Sequence, residues 1–528
     1  MKEMKKFRTL FSIVTIVLIA AFFAVFINYG KNSAVYETIF NETWTQDIVV
    51  TDSMPDSAGL SKTISIPEDG KYRISVDVVA DAYSFIHGIV IKDKDGNALT
   101  SLTAGSMTGW SEEFDLKAGT CTVEFDYLAN GDGYRDFAKQ YYTFSNDQQL
   151  EQAVKNADFE TMEKNAIDKV EYMVEAEKVG DALPEVKRNT FIVLFVITVL
   201  MAFTVLAAGM PDAGESETDL KRRLGGTGVR YALFFVAVFG FQILFSLGAD
   251  ILKPGYVDDH MVAFQLLATF LSVDVVGFPV IYLASRKIRV KKIEEHGIGA
   301  KWLLYLLLSF GIMVPGAVIG AAFQLLLSGS STSPITGILF SSSVIPRILV
   351  VGIGAPIFEE LIFRKLLCDR LYKYGEFVCV LLSGLMFGLF HGNLSQFFYA
   401  TGLGMLFAFV YLRTGRIRYT IALHMTVNLA SSVITAGLMN AIMDENGQVI
   451  TDSPMVPVFG LWMLLYAGMG FVGVLILIIL FAKKKLALVS RPGEPGRIET
   501  IKAMLTSPEM WMFYAGCIGI FVYSYSGI

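Results

Sequence analysis

Apolar runs of about 20 residues recur along the whole chain, and they restrict the environment in which it can fold. An α-helix rises about 1.5 Å per residue, so each run is long enough to cross the ~30 Å hydrocarbon core of a bilayer. Of the 528 residues, 53% are hydrophobic and only 18% are charged. The composition therefore predicts a polytopic α-helical membrane protein. Eleven spans are predicted, at residues 8–28, 190–209, 231–249, 261–285, 302–328, 344–366, 376–393, 395–412, 417–440, 456–482 and 507–526.

The basic residues between the spans predict the orientation. Lys and Arg in short flanking segments stay on the cytoplasmic side of a membrane. They are concentrated before the first span and after the second, fourth, sixth, eighth and tenth spans. This pattern predicts a cytoplasmic N-terminus, an extracytoplasmic segment over residues 30–188, and a multi-pass protein of a cell membrane, which we expect to be bacterial. The first span lacks a small-residue cleavage site, so an uncleaved anchor is favoured.

The segment after the first span differs in charge from the rest of the chain. Residues 31–188 hold 29 acidic and 15 basic side chains, a net charge of −14, which leaves +8 for the remainder of a chain of net charge −6. Alternating runs such as "KYRISVDVV" and "TCTVEFDYL" predict half-buried strands. The turn sequences "PEDGK", "KDKDGNAL" and "LKAGT" separate such runs. We therefore predict an antiparallel β-sandwich over residues 30–145, either a ligand-binding domain or a spacer.

A change of period predicts a helical stalk over residues 146–188. Leu150, Val154, Ala157, Val170 and Val174 recur there at helical intervals. Of the four cysteines only Cys121 lies in the outside segment, so no disulfide is predicted within it. Nothing in the charge pattern predicts nucleic-acid binding.

The stretch "IFEELIFRKLL" at 357–367 places two acidic residues in the sixth predicted span. Ionisable side chains within a bilayer are costly, and they indicate function unless a partner explains them. On a helix Glu360 and Arg364 lie one turn apart and can form an ion pair, whereas Glu359 points about 100° away. One glutamate is thereby predicted to be neutralised and the other to be free.

Two later spans supply further polar groups. The seventh contains His391, four residues after Phe387, and the ninth contains His424 and Asn428 on one helical face. A glutamate and a histidine that share a water can deprotonate it, and a second histidine with an amide can stabilise an oxyanion. Alternatively, Glu359, His391 and His424 could hold a Zn²⁺ that activates the water. The sequence leaves both open, so the cofactor is either none or zinc.

These residues resemble the three motifs of the CAAX-protease and bacteriocin-processing (CPBP, also called Abi) intramembrane proteases. The motifs E-E-x-x-x-R, F-x-x-x-H and H-x-x-x-N occur in order as "EELIFR" (359–364), "FGLFH" (387–391) and "HMTVN" (424–428). The resemblance implies that Glu359 and His391 activate the hydrolytic water and that His424 and Asn428 stabilise the oxyanion. It also implies that Glu360, Arg364 and Phe387 support the site.

The sequence thus favours an intramembrane endopeptidase that cuts a membrane-embedded or membrane-associated peptide or protein. The alternative is a non-catalytic bacteriocin-immunity or sensor protein, in which the polar residues hold the spans together and the outside domain binds a partner. The predicted domains are an anchor (1–29), the β-sandwich (30–145), the stalk (146–188), flanking membrane helices (189–298), the protease core (299–441) and C-terminal membrane helices (442–528).

Overall fold

The computed structural model divides the chain into two compact units, one formed by Asn32–Leu183 and the other by Met1–Lys31 with Pro184–Ile528. We call them the strand unit and the helical unit. The structure describes residues 2–31, 34–47, 60–79, 86–103, 111, 113–127, 169–181, 184–209, 220–253, 256–288, 290–328, 344–443, 450 and 453–525.

The helical unit contains twelve helices of eight or more residues within these ranges. They are α1 (Lys2–Lys31), α2 (Pro184–Ala208), α3 (Leu220–Leu252), α4 (Met261–Ser285), α5 (Lys301–Ser328), α6 (residues 344–371), α7 (Glu376–Phe390), α8 (Leu394–Thr414), α9 (Ile417–Asn440), α10 (Val456–Ala482), α11 (Arg497–Leu505) and α12 (Pro508–Ser524).

Eight of the helices are long and apolar enough to cross a membrane, namely α1 to α5 and α8 to α10. They coincide with eight of the predicted spans, which confirms a multi-pass helical membrane protein. The other three predicted spans correspond to α6, α7 and α12. Of these, α7 has 15 residues and α12 has 17, and α6 is not a continuous α-helix. The number eleven therefore stays a prediction.

Helix α6 alternates between α-helical and wider π-helical turns. Its π-helical stretches are Arg347–Gly354 and Leu361–Leu366, and the two glutamates lie between them in Ala355–Glu360. Pro356 follows closely after the first stretch and has no N–H to donate, which interrupts the regular hydrogen-bond ladder. Such wide turns are frequent at functional sites.

Close helix packing positions the elements that carry the predicted site. On α7 and α8, Gly384 and Gly404 face each other, and a Cβ atom at Gly404 would lie 2.8 Å from the Gly384 Cα. Small residues allow membrane helices to approach in this way. A buried aromatic cluster then joins α3, α6, α7 and α12 through Phe234, Phe363, Phe387 and Phe513. The middle part of α7 is therefore fixed on several sides.

In the strand unit, the described residues form eight strands in two antiparallel sheets. The strands are β1 (Ala34–Asp47), β2 (Leu60–Ile66), β3 (Gly70–Val79), β4 (Ile86–Lys92), β5 (Ala98–Thr103), β6 (Phe114–Leu116), β7 (Gly119–Tyr127) and β8 (Lys169–Asp181). One sheet has the order β1-β8-β3-β6 and the other β2-β7-β4-β5. The strands predicted from the alternating runs are β3 and β7, and both are confirmed.

The predicted turns also lie between strands. Residues 93–97 form the hairpin between β4 and β5, where Gly96 has a φ of 85° and Asp93 accepts hydrogen bonds from the amides of Asp95 and Asn97. The turns in "PEDGK" and "LKAGT" lead from a strand of one sheet to a strand of the other. Face-to-face packing of the two sheets as a sandwich stays a prediction.

The predicted stalk is wrong over residues 169–181, because these residues form β8 between β1 and β3. The segment also alternates with period two, and Val174 and Ala176 are both completely buried. Sheet pairing on both sides favoured this period over the helical one. Residues 146–168 lie outside the described part of the chain.

Candidate active site

The ion pair predicted between Glu360 and Arg364 is present in α6. The Arg364 Nε lies 3.2 Å from the Glu360 Oε2, and both side chains are 0% exposed. Removal of either partner of a buried ion pair leaves an uncompensated charge, which is strongly destabilising. The pair therefore holds this part of α6 in place, directly after Glu359.

Two aromatic rings complete the surroundings of the Arg364 guanidinium. Its Cζ lies 4.4 Å from the ring centroid of Phe387 on α7 and 5.6 Å from that of Phe407 on α8. The guanidinium is thus held by cation–π contacts in addition to the ion pair. Phe387 contributes the nearer ring.

His424 connects both glutamates across α9 and α6. Its Nδ1 lies 3.0 Å from the Glu360 Oε1, and its Nε2 lies 3.5 Å from the Glu359 Oε2. An ionised carboxylate only accepts hydrogen bonds, so the Nδ1 donates to Glu360 and the Nε2 faces Glu359. Glu359 therefore has a neighbour in His424, whereas the sequence predicted a free carboxylate.

His391 ends α7 and is anchored by its own helix. Its Nδ1 lies 2.8 Å from the Phe387 carbonyl oxygen, which can only accept a hydrogen bond, so the Nε2 remains available. The Phe387 ring contacts both imidazoles, with centroid distances of 4.7 Å to His391 and 5.6 Å to His424. Within the described residues, no hydrogen bond or ion pair joins Glu359 to His391.

Asn428 lies one turn after His424 and contacts the backbone of α6. Its Nδ2 donates a hydrogen bond to the Val351 carbonyl oxygen, at 3.0 Å, in the first π-helical stretch. A side-chain amide has two N–H groups, so this bond orients Asn428 and leaves the other N–H for a further acceptor. The four predicted catalytic residues thus come from α6, α7 and α9.

Two hydroxyl groups stabilise the second π-helical stretch, which begins directly after the glutamates. The Tyr231 hydroxyl of α3 donates to the Ile362 carbonyl oxygen at 2.7 Å, and the Ser383 hydroxyl of α7 donates to that of Phe363 at 2.8 Å. Both carbonyl groups are buried in the core, where an unpaired backbone group is costly. These bonds fix the turn that connects Glu360 to Arg364.

Asp274 is a further acidic residue near this site, and the sequence analysis did not single it out. It lies in a π-helical stretch of α4, is 6% exposed, and its Oδ1 has no hydrogen-bond partner among the described residues. A Cβ atom at Gly354 of α6 would lie 3.8 Å from the Asp274 Oδ2. The sequence does contain a signal for this residue, because Asp274 is the one acidic residue of the apolar run 261–285.

The sequence left a zinc site open as one alternative, and the side chains in this arrangement do not form it. In the described part of the chain, no group of three His, Cys, Asp or Glu side chains has metal-binding geometry. Both ring nitrogens of His424 face carboxylates, and the Nδ1 of His391 faces a carbonyl group. We therefore derive no reaction step through a metal.

Comparison with known proteins gives an independent indication of the family. The model of the family "Type II CAAX prenyl endopeptidase Rce1-like" matches residues 341–430, which include all three motifs. The Bacillus subtilis (strain 168) protein named "Putative membrane peptidase YdiL" is 28% identical over 202 residues, which are 37% of this chain and 81% of that protein. The chain is thus a multi-pass membrane protein whose residues 341–430 are similar to the CAAX prenyl endopeptidases.

Proposed function

We propose that this protein is an intramembrane endopeptidase that hydrolyses a peptide bond of a membrane-embedded or membrane-associated substrate. The observation that supports this most is the connected set Glu359, His424, Glu360 and Arg364, buried between α6 and α9. Buried ionisable groups are rarely retained without a use. The matches to a prenyl endopeptidase family and to a named membrane peptidase support the same reaction class.

In the proposed mechanism Glu359 and His391 activate the water. The Glu359 carboxylate and the His391 Nε2 are both acceptors, because the Nδ1 of His391 is engaged with the Phe387 carbonyl group. A water between two acceptors gives one proton to Glu359 as its oxygen attacks the substrate carbonyl carbon. Glu359 then returns the proton to the amide nitrogen, and the C–N bond breaks.

The developing oxyanion requires hydrogen-bond donors that are already oriented. We assign this role to His424, through its Nε2 when protonated, and to the second N–H of Asn428. The bonds of His424 to Glu360 and of Asn428 to Val351 support the assignment, since each fixes its donor before substrate binds. Glu360 and Arg364 hold His424, and Phe387 packs against both histidines.

We further propose that the N-terminus is cytoplasmic and that the strand unit is extracytoplasmic. The distribution of Lys and Arg between the spans supports this orientation. A reporter that is active only in the cytoplasm, fused after Ala208, should be active, and the same reporter inserted in the Asp95–Asn97 hairpin should be inactive. Equal activity at both positions would contradict the orientation.

The experiment that tests the reaction compares terminal peptides from cells that express wild type or Glu359→Gln at equal membrane levels. We expect new termini only with the wild type, because loss of the base lowers the rate by at least ~10²-fold. Glu294→Gln is the matched control, since this loop carboxylate is 89% exposed. Identical peptide sets for wild type and Glu359→Gln would instead favour the non-catalytic immunity or sensor protein.

A further inference from the structure

The short turn between α7 and α8 follows directly after His391 of the proposed active site. Its backbone conformation and packing leave little room for other side chains. Gly392 has a φ of 67°, and a Cβ atom there would lie 2.3 Å from the Ile520 Cγ2 of α12. Asn393 then caps α8, as its side chain accepts a hydrogen bond from the Gln396 amide at 3.0 Å. The backbone on both sides of Gly392 is therefore closely packed.

The end of α12 binds the backbone of this turn directly. The Ser524 hydroxyl donates to the Gly392 carbonyl oxygen at 3.0 Å, and the Leu394 amide donates to the Tyr525 hydroxyl oxygen at 3.1 Å. The Tyr525 hydroxyl in turn donates to the Gln324 side chain of α5. Both hydrogen-bonding capacities of Tyr525 are therefore used, one toward the turn and one toward a neighbouring helix.

Helix α12 lies outside residues 341–430, the part of the chain that matches the protease family. We propose that Ser524 and Tyr525 are positioning residues for His391, and that a C-terminal helix outside the matched core thus contributes to the site. The inference rests on the proposed function in so far as it concerns catalysis. The contacts with the turn are independent of that function.

Ser524 and Tyr525 can affect the position of His391 because few hydrogen bonds orient its imidazole. The Nδ1 of His391 is held by the Phe387 carbonyl group of its own helix, so the ring direction depends on how α7 ends. The carbonyl oxygen of the next residue, Gly392, accepts a hydrogen bond from Ser524. The amide of Leu394 donates a hydrogen bond to the Tyr525 hydroxyl. A displacement of about 1 Å at a catalytic group can lower a rate by ~10²-fold.

The test uses the full-length protein in detergent micelles with a substrate peptide found by the terminal-peptide comparison. We expect Tyr525→Phe and Ser524→Ala each to lower kcat by about 10-fold with KM unchanged, because only the catalytic geometry is disturbed. Tyr514→Phe is the matched control on the same helix, since the Tyr514 hydroxyl has no hydrogen-bond partner among the described residues. It should retain full activity.

A double variant separates positioning from general destabilisation. If Tyr525 acts through His391, Tyr525→Phe should have no further effect on residual activity in a His391→Ala background. A further 10-fold loss in that background would overturn the proposal. So would a wild-type kcat for both Tyr525→Phe and Ser524→Ala.

Hydrogen–deuterium exchange tests the contact without any need for activity. We expect the amide of Leu394 to exchange about 10-fold faster in Tyr525→Phe, with no change in Tyr514→Phe, because its acceptor is lost. Unchanged exchange would overturn the proposal. If wild type and Glu359→Gln are equally inactive, the proposed function fails, and faster exchange would still support the role of α12 in holding the turn.

Discussion

His424 of α9 donates from its Nδ1 to the Glu360 Oε1 of α6 at 3.0 Å, while the other oxygen of the same carboxylate faces Arg364 at 3.2 Å. One buried carboxylate therefore compensates a cation and orients an imidazole at the same time. Among the described residues, the adjacent Glu359 has no lysine or arginine partner, and its ionisable neighbour is His424 at 3.5 Å. Two neighbouring glutamates thus have different surroundings, and they should respond differently to the same substitution.

Glu360→Gln should destabilise the protein, whereas Glu359→Gln should not. Removal of one partner from a buried ion pair leaves an uncompensated charge, which costs about 3–5 kcal/mol. The corresponding change at Glu359 should cost less than about 1 kcal/mol, because active-site residues are often neutral for stability. The measurement is unfolding of both variants by a denaturing detergent in mixed micelles. Equal stability of the two variants would contradict the assigned roles.

Phe387→Leu should destabilise the protein more than Phe407→Leu. The Arg364 Cζ is 4.4 Å from the Phe387 ring and 5.6 Å from the Phe407 ring, and a desolvated cation–π contact contributes about 2 kcal/mol. Thermal unfolding of the two variants checks the order. The same difference should disappear in an Arg364→Met background, where no cation remains. If it persists there, packing alone explains the effect.

Asp274→Asn should leave the stability unchanged or raise it by about 1–2 kcal/mol. The Asp274 Oδ1 is buried without a hydrogen-bond partner in the described structure, and a neutral amide is easier to bury than a carboxylate. We expect the same variant to lower the rate of cleavage, as destabilising polar groups are retained where they are used. Stability and activity that fall together would show that Asp274 is an ordinary structural residue.

Cys121 should not react with thiol reagents while the strand unit is folded. Its side chain is 0% exposed, and burial raises the pKa of its thiol to about 12. At pH 8 the reactive thiolate is therefore a minor species, on the order of 10⁻⁴ of the total. Maleimide labelling should occur only after denaturation. Thr120→Cys is the control, because this neighbouring position is exposed and should be labelled at once.

Hydropathy predicted eight of the helices because each is a long, mostly apolar run, and no tertiary information is needed for such a signal. The path of α6 was less predictable. The wide turn after the glutamates is stabilised by side chains from α3 and α7, which are distant from it in the sequence. Contacts between segments that are distant in the sequence therefore determine the local helix geometry, and hydropathy does not reveal them.

The motifs predicted which residues meet in the site better than how they pair. The Glu360–Arg364 pair follows from helix geometry alone, whereas the approach of His424 to Glu359 depends on the rotation of α9 against α6. The stalk was mispredicted because Val170 and Val174 satisfy both periods, and pairing with β1 and β3 selected the strand. Asp274 was overlooked because it belongs to no motif.

The strand unit interrupts the helical unit between α1 and α2. These helices contact each other through a hydrogen bond of 2.9 Å between the hydroxyls of Thr15 and Thr204. At the edges of the inserted segment, Ala34 of β1 pairs with Asp181 of β8, so its two ends leave the sheet side by side. A domain whose two ends lie close together can be inserted into another domain with little disturbance. A module of this kind can be gained, lost or exchanged at a single point of the gene without rerouting any membrane helix.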